Sequence, residues 1–227
     1  MVSILQSIQG RMEIMKKKRK INSGVYLVLD PSLDEIILIH KLKIILQEKV
    51  VAVQLWDNFS PQQNILELIQ NITKLCHEKN IPVLINSKWE WLNTTDLDGV
   101  HFDSIPSNFE HLKKTINKKF ISGLTCGNDL SLVHWANNNH LDYISFCSIF
   151  PSATSNSCEL VKFETIQEAR KITSMPIFLA GGIKPENMPA LAELSFDGIA
   201  VISGIMNSEK PDETIKSYLK QLNRNKA

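Results

Sequence analysis

An α/β fold, and within it a closed (βα)8 barrel, is predicted by three observations. Short apolar runs alternate with helix-compatible stretches from Val25 onward. The runs are nearly continuous in hydrophobicity, as parallel strands covered on both faces must be. Eight such units fit into roughly 200 residues, the small end of the range for this barrel. An open doubly wound sheet is the competing architecture. It would carry a glycine-rich turn after its first strand, and Asp30-Pro31-Ser32 stands there instead.

Taken in order, VYLVLD over 25–30 reads as the first strand, and Pro31-Ser32 opens a helix to about Gln47. VVAVQLW over 50–56 is the second strand; Ser60 as N-cap and Pro61 in the first turn start a helix to about Lys79. PVLIN over 82–86 is the third strand, followed by a short helix around 89–92. Gly99-Val100-His101 lies in a fourth strand, with a helix over 108–117 behind it. Strands over 120–123 and 142–146 flank a helix over 128–138; a polar loop over 147–161 then leads into a helix over 163–173. The last two strands, 177–180 and 199–202, enclose a helix over 185–194, and a helix over 212–222 closes the chain. Residues 24–227 therefore form one barrel domain, preceded by a basic arm over 1–23, disordered or partly helical, that carries Lys16-Lys17-Lys18-Arg19-Lys20. A secretory signal would place its charges before a longer apolar region, the reverse of the order here. Met12 and Met15 are alternative starts.

Composition narrows the function. A net charge of +1 gives no bulk attraction to nucleic acid or an anionic membrane. No apolar run reaches the length of a membrane-spanning helix. Cys76, Cys126, Cys147 and Cys158 show no CxxC spacing, as expected of reduced thiols in a cytoplasmic protein. His40, His77, His111, His134 and His140 fall in helices or at their ends and read as surface residues. His101 alone sits at a strand end.

The stretch from Pro176 to Asn207 is the most informative. Two neighbouring buried strands end in small residues, Gly181-Gly182 and Ser203-Gly204. Glycine lets backbone N–H groups approach a ligand closely, and the last two loops of such a barrel often hold a phosphate. Tight turning alone is the competing role of these glycines.

The strand ends together resemble the superfamily of thiamine-phosphate synthase and thiazole tautomerase. VYLVLD, DGVH, DYISFCSIFPSAT, AGGI and DGIAVISGI carry the likeness, in the family's order, across nearly all of 25–211. The resemblance implies a TIM barrel. It also implies a transferase of thiamine biosynthesis that joins a hydroxymethylpyrimidine diphosphate to a thiazole phosphate with Mg²⁺. By the same resemblance, Gln54, Asn86, Thr125, Ser152, Thr154, Gly181, Gly182, Ile202, Ser203 and Gly204 bind substrate and phosphate. Several family positions are replaced here. Trp56 stands for an Arg, Asn58 and Ser155 for Lys residues, and Ser87 and Pro106 for the two metal-binding Asp residues. No metal ligand is therefore expected unless synthase activity is kept. His101 and Asp103 are the candidate catalytic pair, although for His101 a structural, hydrogen-bonded role is the favoured reading. Gly127 occupies the tautomerase's catalytic His position. A tautomerase-like enzyme or a non-catalytic phosphate-binding barrel is the alternative. The expected partner is a small phosphorylated heterocycle, with neither nucleic acid nor membrane.

Overall fold

A computed structural model describes residues 18–152 and 159–224. Eight strands, β1 (Gly24–Leu29), β2 (Val50–Leu55), β3 (Val83–Asn86), β4 (Gly99–Phe102), β5 (Ile121–Thr125), β6 (Tyr143–Phe146), β7 (Ile177–Ala180) and β8 (Gly198–Val201), close into a barrel in sequence order. Every neighbour pair is parallel, and β8 returns to β1 with Gly24 opposite Gly198. The alternation of apolar runs and helices thus encodes the (βα)8 barrel directly.

The helices are α1 (Glu35–Ile45), α2 (Ile65–His77), α3 (Phe109–Thr115), α4 (Leu130–Asn138), α5 (Phe163–Ile172), the single turn α6 (Ser203–Met206) and α7 (Pro211–Arg224). Asp34, Asn64, Asn108 and Asp129 cap the first four of these through their side chains. Two predicted starts are corrected. α1 begins after Asp34 because Asp30 folds 30–33 into a turn, accepting from the Ser32 amide at 2.9 Å. α2 begins after Asn64, not Ser60: Asn64 accepts from the Glu67 amide and donates to its carboxylate at 2.9 Å, a reciprocal box. Pro61 instead sits in the turn closed by Gln63. The helix expected over 185–194 is only a 3-10 turn, Met188–Leu191, since Pro189 supplies no amide hydrogen.

Alternation within each strand divides the apolar residues into two cores. One set faces the helices, as Leu27, Leu29, Val53, Leu55, Ile85 and Ile144 do. The other fills the barrel, with Tyr26, Val28, Ala52, Leu84, Ile121, Tyr143 and Phe178 in one cluster. Tyr26, Tyr143 and Phe178 meet in a triangle of ring centroids 5.5–5.7 Å apart, two of the contacts edge-on. Gly123 and Gly198 make this possible: a Cβ at either would lie 2.1 Å from the Tyr143 ring or 2.5 Å from the Phe178 ring.

Three aspartates close the floor, each just before an even-numbered strand. Asp98, Asp142 and Asp197 accept the amides of Val83, Ser122 and Ile177 at 2.8, 2.8 and 2.9 Å. Each also holds a cation: Arg19 on Asp98 at 2.6 Å, Lys18 on Asp142 at 2.6 Å, and Arg170 on Asp197 at 2.8 Å. The end of the basic arm is therefore tied beneath the barrel. His77 is half-buried and meets Asp98 at 2.7 Å, which corrects its reading as a surface residue. Among the described residues, no helix is long and apolar enough to cross a membrane.

Candidate active site at the barrel mouth

The C-terminal strand ends surround a cavity of about 440 Å³. Its polar edge is built from the turns after β7 and β8. Gly181 and Gly182 have φ of +86° and +65°, the left-handed region that glycine enters without strain. A Cβ on Gly182 would lie 2.5 Å from the Phe150 carbonyl oxygen and 2.6 Å from that of Pro151. The surrounding protein occupies the carbonyls of this turn. Ile149 donates to Ala180, Phe150 to Gly181, Asn187 to Gly182 and Tyr218 to Ile183, over 2.9–3.1 Å. Asn187 also accepts from the Lys184 amide at 2.8 Å, so one carboxamide braces both ends of the turn. Among the described residues, the N–H groups of Gly181, Gly182 and Ile183 have no acceptor, nor do those of Ser203 and Gly204. Both turns line the cavity, joined by Lys184. Backbone donors with a cation beside them suit an anion.

The opposite side holds a continuous run of hydrogen bonds that crosses the barrel. Ser145 Oγ lies 3.1 Å from Thr125 Oγ1, which lies 2.9 Å from His101 Nε2. His101 Nδ1 is 2.9 Å from the Tyr143 hydroxyl, itself 2.8 Å from that of Tyr26. Tyr26 donates to Gln54 Oε1 at 2.8 Å, Gln54 Nε2 to Asn86 Oδ1 at 2.7 Å, and Asn86 Nδ2 to Asp103 Oδ2 at 2.7 Å. Burial pushes the His101 imidazole down to about 4, only partly offset by the nearby negative charge of Asp103. Burial likewise raises the Tyr26 and Tyr143 phenols. At neutral pH the interior of the run is uncharged.

A thiamine monophosphate synthase family model matches residues 25–205. The chain belongs to the thiamine monophosphate synthase family. The chain is 32% identical to thiamine-phosphate synthase 1 of Aquifex aeolicus, over 86% of this chain and 92% of that protein. It is 28% identical to the thiamine-phosphate synthase of Picrophilus torridus, over 77% and 85% of the two chains. The fold is also that of the thiamine phosphate pyrophosphorylase structure from Pyrococcus furiosus, with a TM-score of 0.77 at 19% identity over 92% and 99% of the chains.

Within this family member, the sequence-derived candidates converge. Gln54, Asn86, His101, Asp103, Thr125, Ser152, Gly181, Gly182, Ile202, Ser203 and Gly204 all line the one cavity. Thr154 lies outside the described residues, as do Ser155 and Cys158. Sequence reasoning missed Tyr26, Tyr143, Ser145, Phe178 and Lys184 on the wall and Asn187 behind it. Lys184 stands two residues after Gly182, and that spacing was the available signal.

The family's Mg²⁺ would find few ligands among the residues present. Neither Ser87 nor Pro106 lines the cavity, and Asp103, which does, accepts from Asn86 through Oδ2. No group of three His, Cys, Asp or Glu side chains able to hold a metal occurs among the described residues. A Mg²⁺ site needs one or two carboxylates with free oxygens around an octahedron. Trp56 does line the cavity, packing on the interior aromatic cluster where the family pattern has a cation. Asn58 bonds to Asp30 and Ser32 away from it.

Proposed function

We propose that this chain acts in thiamine-phosphate synthesis, holding a thiazole phosphate by its phosphate on the Gly181–Gly182 and Ser203–Gly204 turns. The observation that carries this reading is the set of backbone N–H groups at those turns that have no acceptor among the described residues, beside Lys184. Such donors are already oriented before the ligand arrives, so binding costs little reorganisation. The reaction is the joining of a hydroxymethylpyrimidine diphosphate to that thiazole phosphate, with release of pyrophosphate. Gln54 and Asn86 face the space beyond the phosphate, where the second substrate would lie. The protein would work in the cytoplasm on small phosphorylated heterocycles.

A second reading follows from Trp56, Ser87 and Pro106. Leaving-group charge needs preorganised cations or a metal, each worth on the order of 10²-fold or more in rate. With those positions apolar or neutral, the chain would bind the thiazole phosphate or thiamine phosphate without synthase turnover, or act on it as a tautomerase through His101.

Two measurements on the full chain separate these readings. Calorimetry with the thiazole phosphate tests the cradle, and absence of binding overturns both. Incubation with both substrates and Mg²⁺, followed by mass spectrometry, tests the reaction. Thiamine phosphate supports synthase activity; binding without product leaves the second reading.

A further inference from the structure

The hydrogen-bond run across the barrel has a direction, and the direction starts at Asp103. A carboxylate accepts hydrogen bonds and cannot donate them. The group facing Asp103 Oδ2 must therefore be the Asn86 amide nitrogen, which turns Asn86 Oδ1 toward Gln54. That oxygen accepts from the Gln54 nitrogen, which turns Gln54 Oε1 toward the Tyr26 hydroxyl. Tyr26 has one hydrogen, and it is spent on Gln54. The Tyr143 hydroxyl, 2.8 Å away, must then donate to Tyr26. Tyr143 in turn has no hydrogen left for His101 Nδ1 at 2.9 Å, so that nitrogen carries the proton.

We infer that Asp103 is a positioning residue that fixes His101 as its Nδ1–H tautomer, leaving the Nε2 lone pair at the cavity as an acceptor site for a ligand N–H or O–H. Thr125 fills that site in this structure, its hydroxyl donating to Nε2 at 2.9 Å. Four intermediaries separate Asp103 from His101, and each has only one arrangement once the carboxylate is in place. Reversing the run would aim the Asn86 carbonyl oxygen at the Asp103 carboxylate, two acceptors with no hydrogen between them. A side chain at 103 that also donates removes this constraint. The assignment rests on hydrogen-bond geometry alone and stands whether or not the thiazole-phosphate reading holds.

The test is nitrogen-15 NMR of the full chain labelled at histidine, without ligand. His101 is identified by the signals lost in His101→Gln. The wild type is expected to show a protonated Nδ1 and a lone-pair Nε2. Asp103→Glu should keep that pattern, because the carboxylate is retained. Asp103→Asn, which offers both a donor and an acceptor, should shift both nitrogens toward a mixture of tautomers. Thr125→Val should leave the tautomer unchanged, since the proton is set from the Asp103 side. A protonated Nε2 in the wild type would overturn the inference. So would a tautomer that follows Thr125 and ignores Asp103→Asn. The exposed position of Asp103 makes the variants foldable, and the wild-type spectrum alone already decides the tautomer.

Discussion

The His101 imidazole lies stacked on the Tyr143 ring, with centroids 5.6 Å apart and planes 20° apart, while its Nδ1 shares a 2.9 Å hydrogen bond with the Tyr143 hydroxyl. Both groups are buried in the barrel, and charging either is costly there. The folded-state value of His101, about 4, lies below its unfolded value of 6.5. Below pH 6.5 the unfolded chain binds a proton that the native chain refuses. Stability is therefore lost as pH falls from 6.5 toward 4, by on the order of 3 kcal/mol in total. Replacing His101 with Gln removes the titrating group and should flatten this part of a curve of Tm against pH, even if Tm at pH 8 is lower.

The floor carries a separate acid dependence. Burial alone would raise the Asp98 carboxyl, but hydrogen bonds from His77, Val83 and Arg19 hold it below its usual value. Its contribution is present above the unfolded value of 3.8 and is lost as pH falls through the lower folded value. Asp98→Ala strands Arg19 and leaves the Val83 amide unpaired, and should cost about 2–4 kcal/mol in a urea unfolding curve at pH 7. Arg19→Met should cost less, because Asp98 keeps His77 and Val83.

The Gly181–Gly182 turn has no room for a side chain. Gly182→Ala pushes a methyl against the Phe150 and Pro151 carbonyls and forces a positive φ on alanine. Binding of the thiazole phosphate should fall more than about tenfold by calorimetry, with a stability loss of about 1–3 kcal/mol. An unchanged affinity would mean that the phosphate sits elsewhere.

Lys184 is exposed at the cavity edge. Lys184→Ala should leave Tm unchanged and weaken phosphate-ester binding about tenfold, the scale of one charge-assisted hydrogen bond. Raising the salt concentration should narrow the gap between variant and wild type.

The barrel was legible because strand hydrophobicity and helix periodicity are local signals. The starts of α1 and α2 were not: Ser60-Pro61 is a sound helix start by preference, but the Asn64–Glu67 box competes four residues later and wins. Pro189 should have limited the helix expected over 185–194. At the site, Gly181, Gly182, Ser203 and Gly204 could be found because close backbone approach demands small residues. Tyr26, Tyr143 and Phe178 could not be told from ordinary core, since an inward aromatic and an outward one look alike in a run that is apolar throughout. Their role appears only once the closed barrel brings β1, β6 and β7 around one interior. Asn187 was invisible for another reason: its work is to brace a turn three to five residues away, which no spacing announces.

The phosphate assignment is tested most directly by a crystal structure of the full chain with thiamine phosphate bound. The phosphate oxygens should lie within hydrogen-bond reach of the Gly182 and Ser203 amides, beside Lys184, with the heterocycles extending toward His101 and Asn86. Phosphate density away from both turns, or no ligand density at saturating concentration, would contradict it.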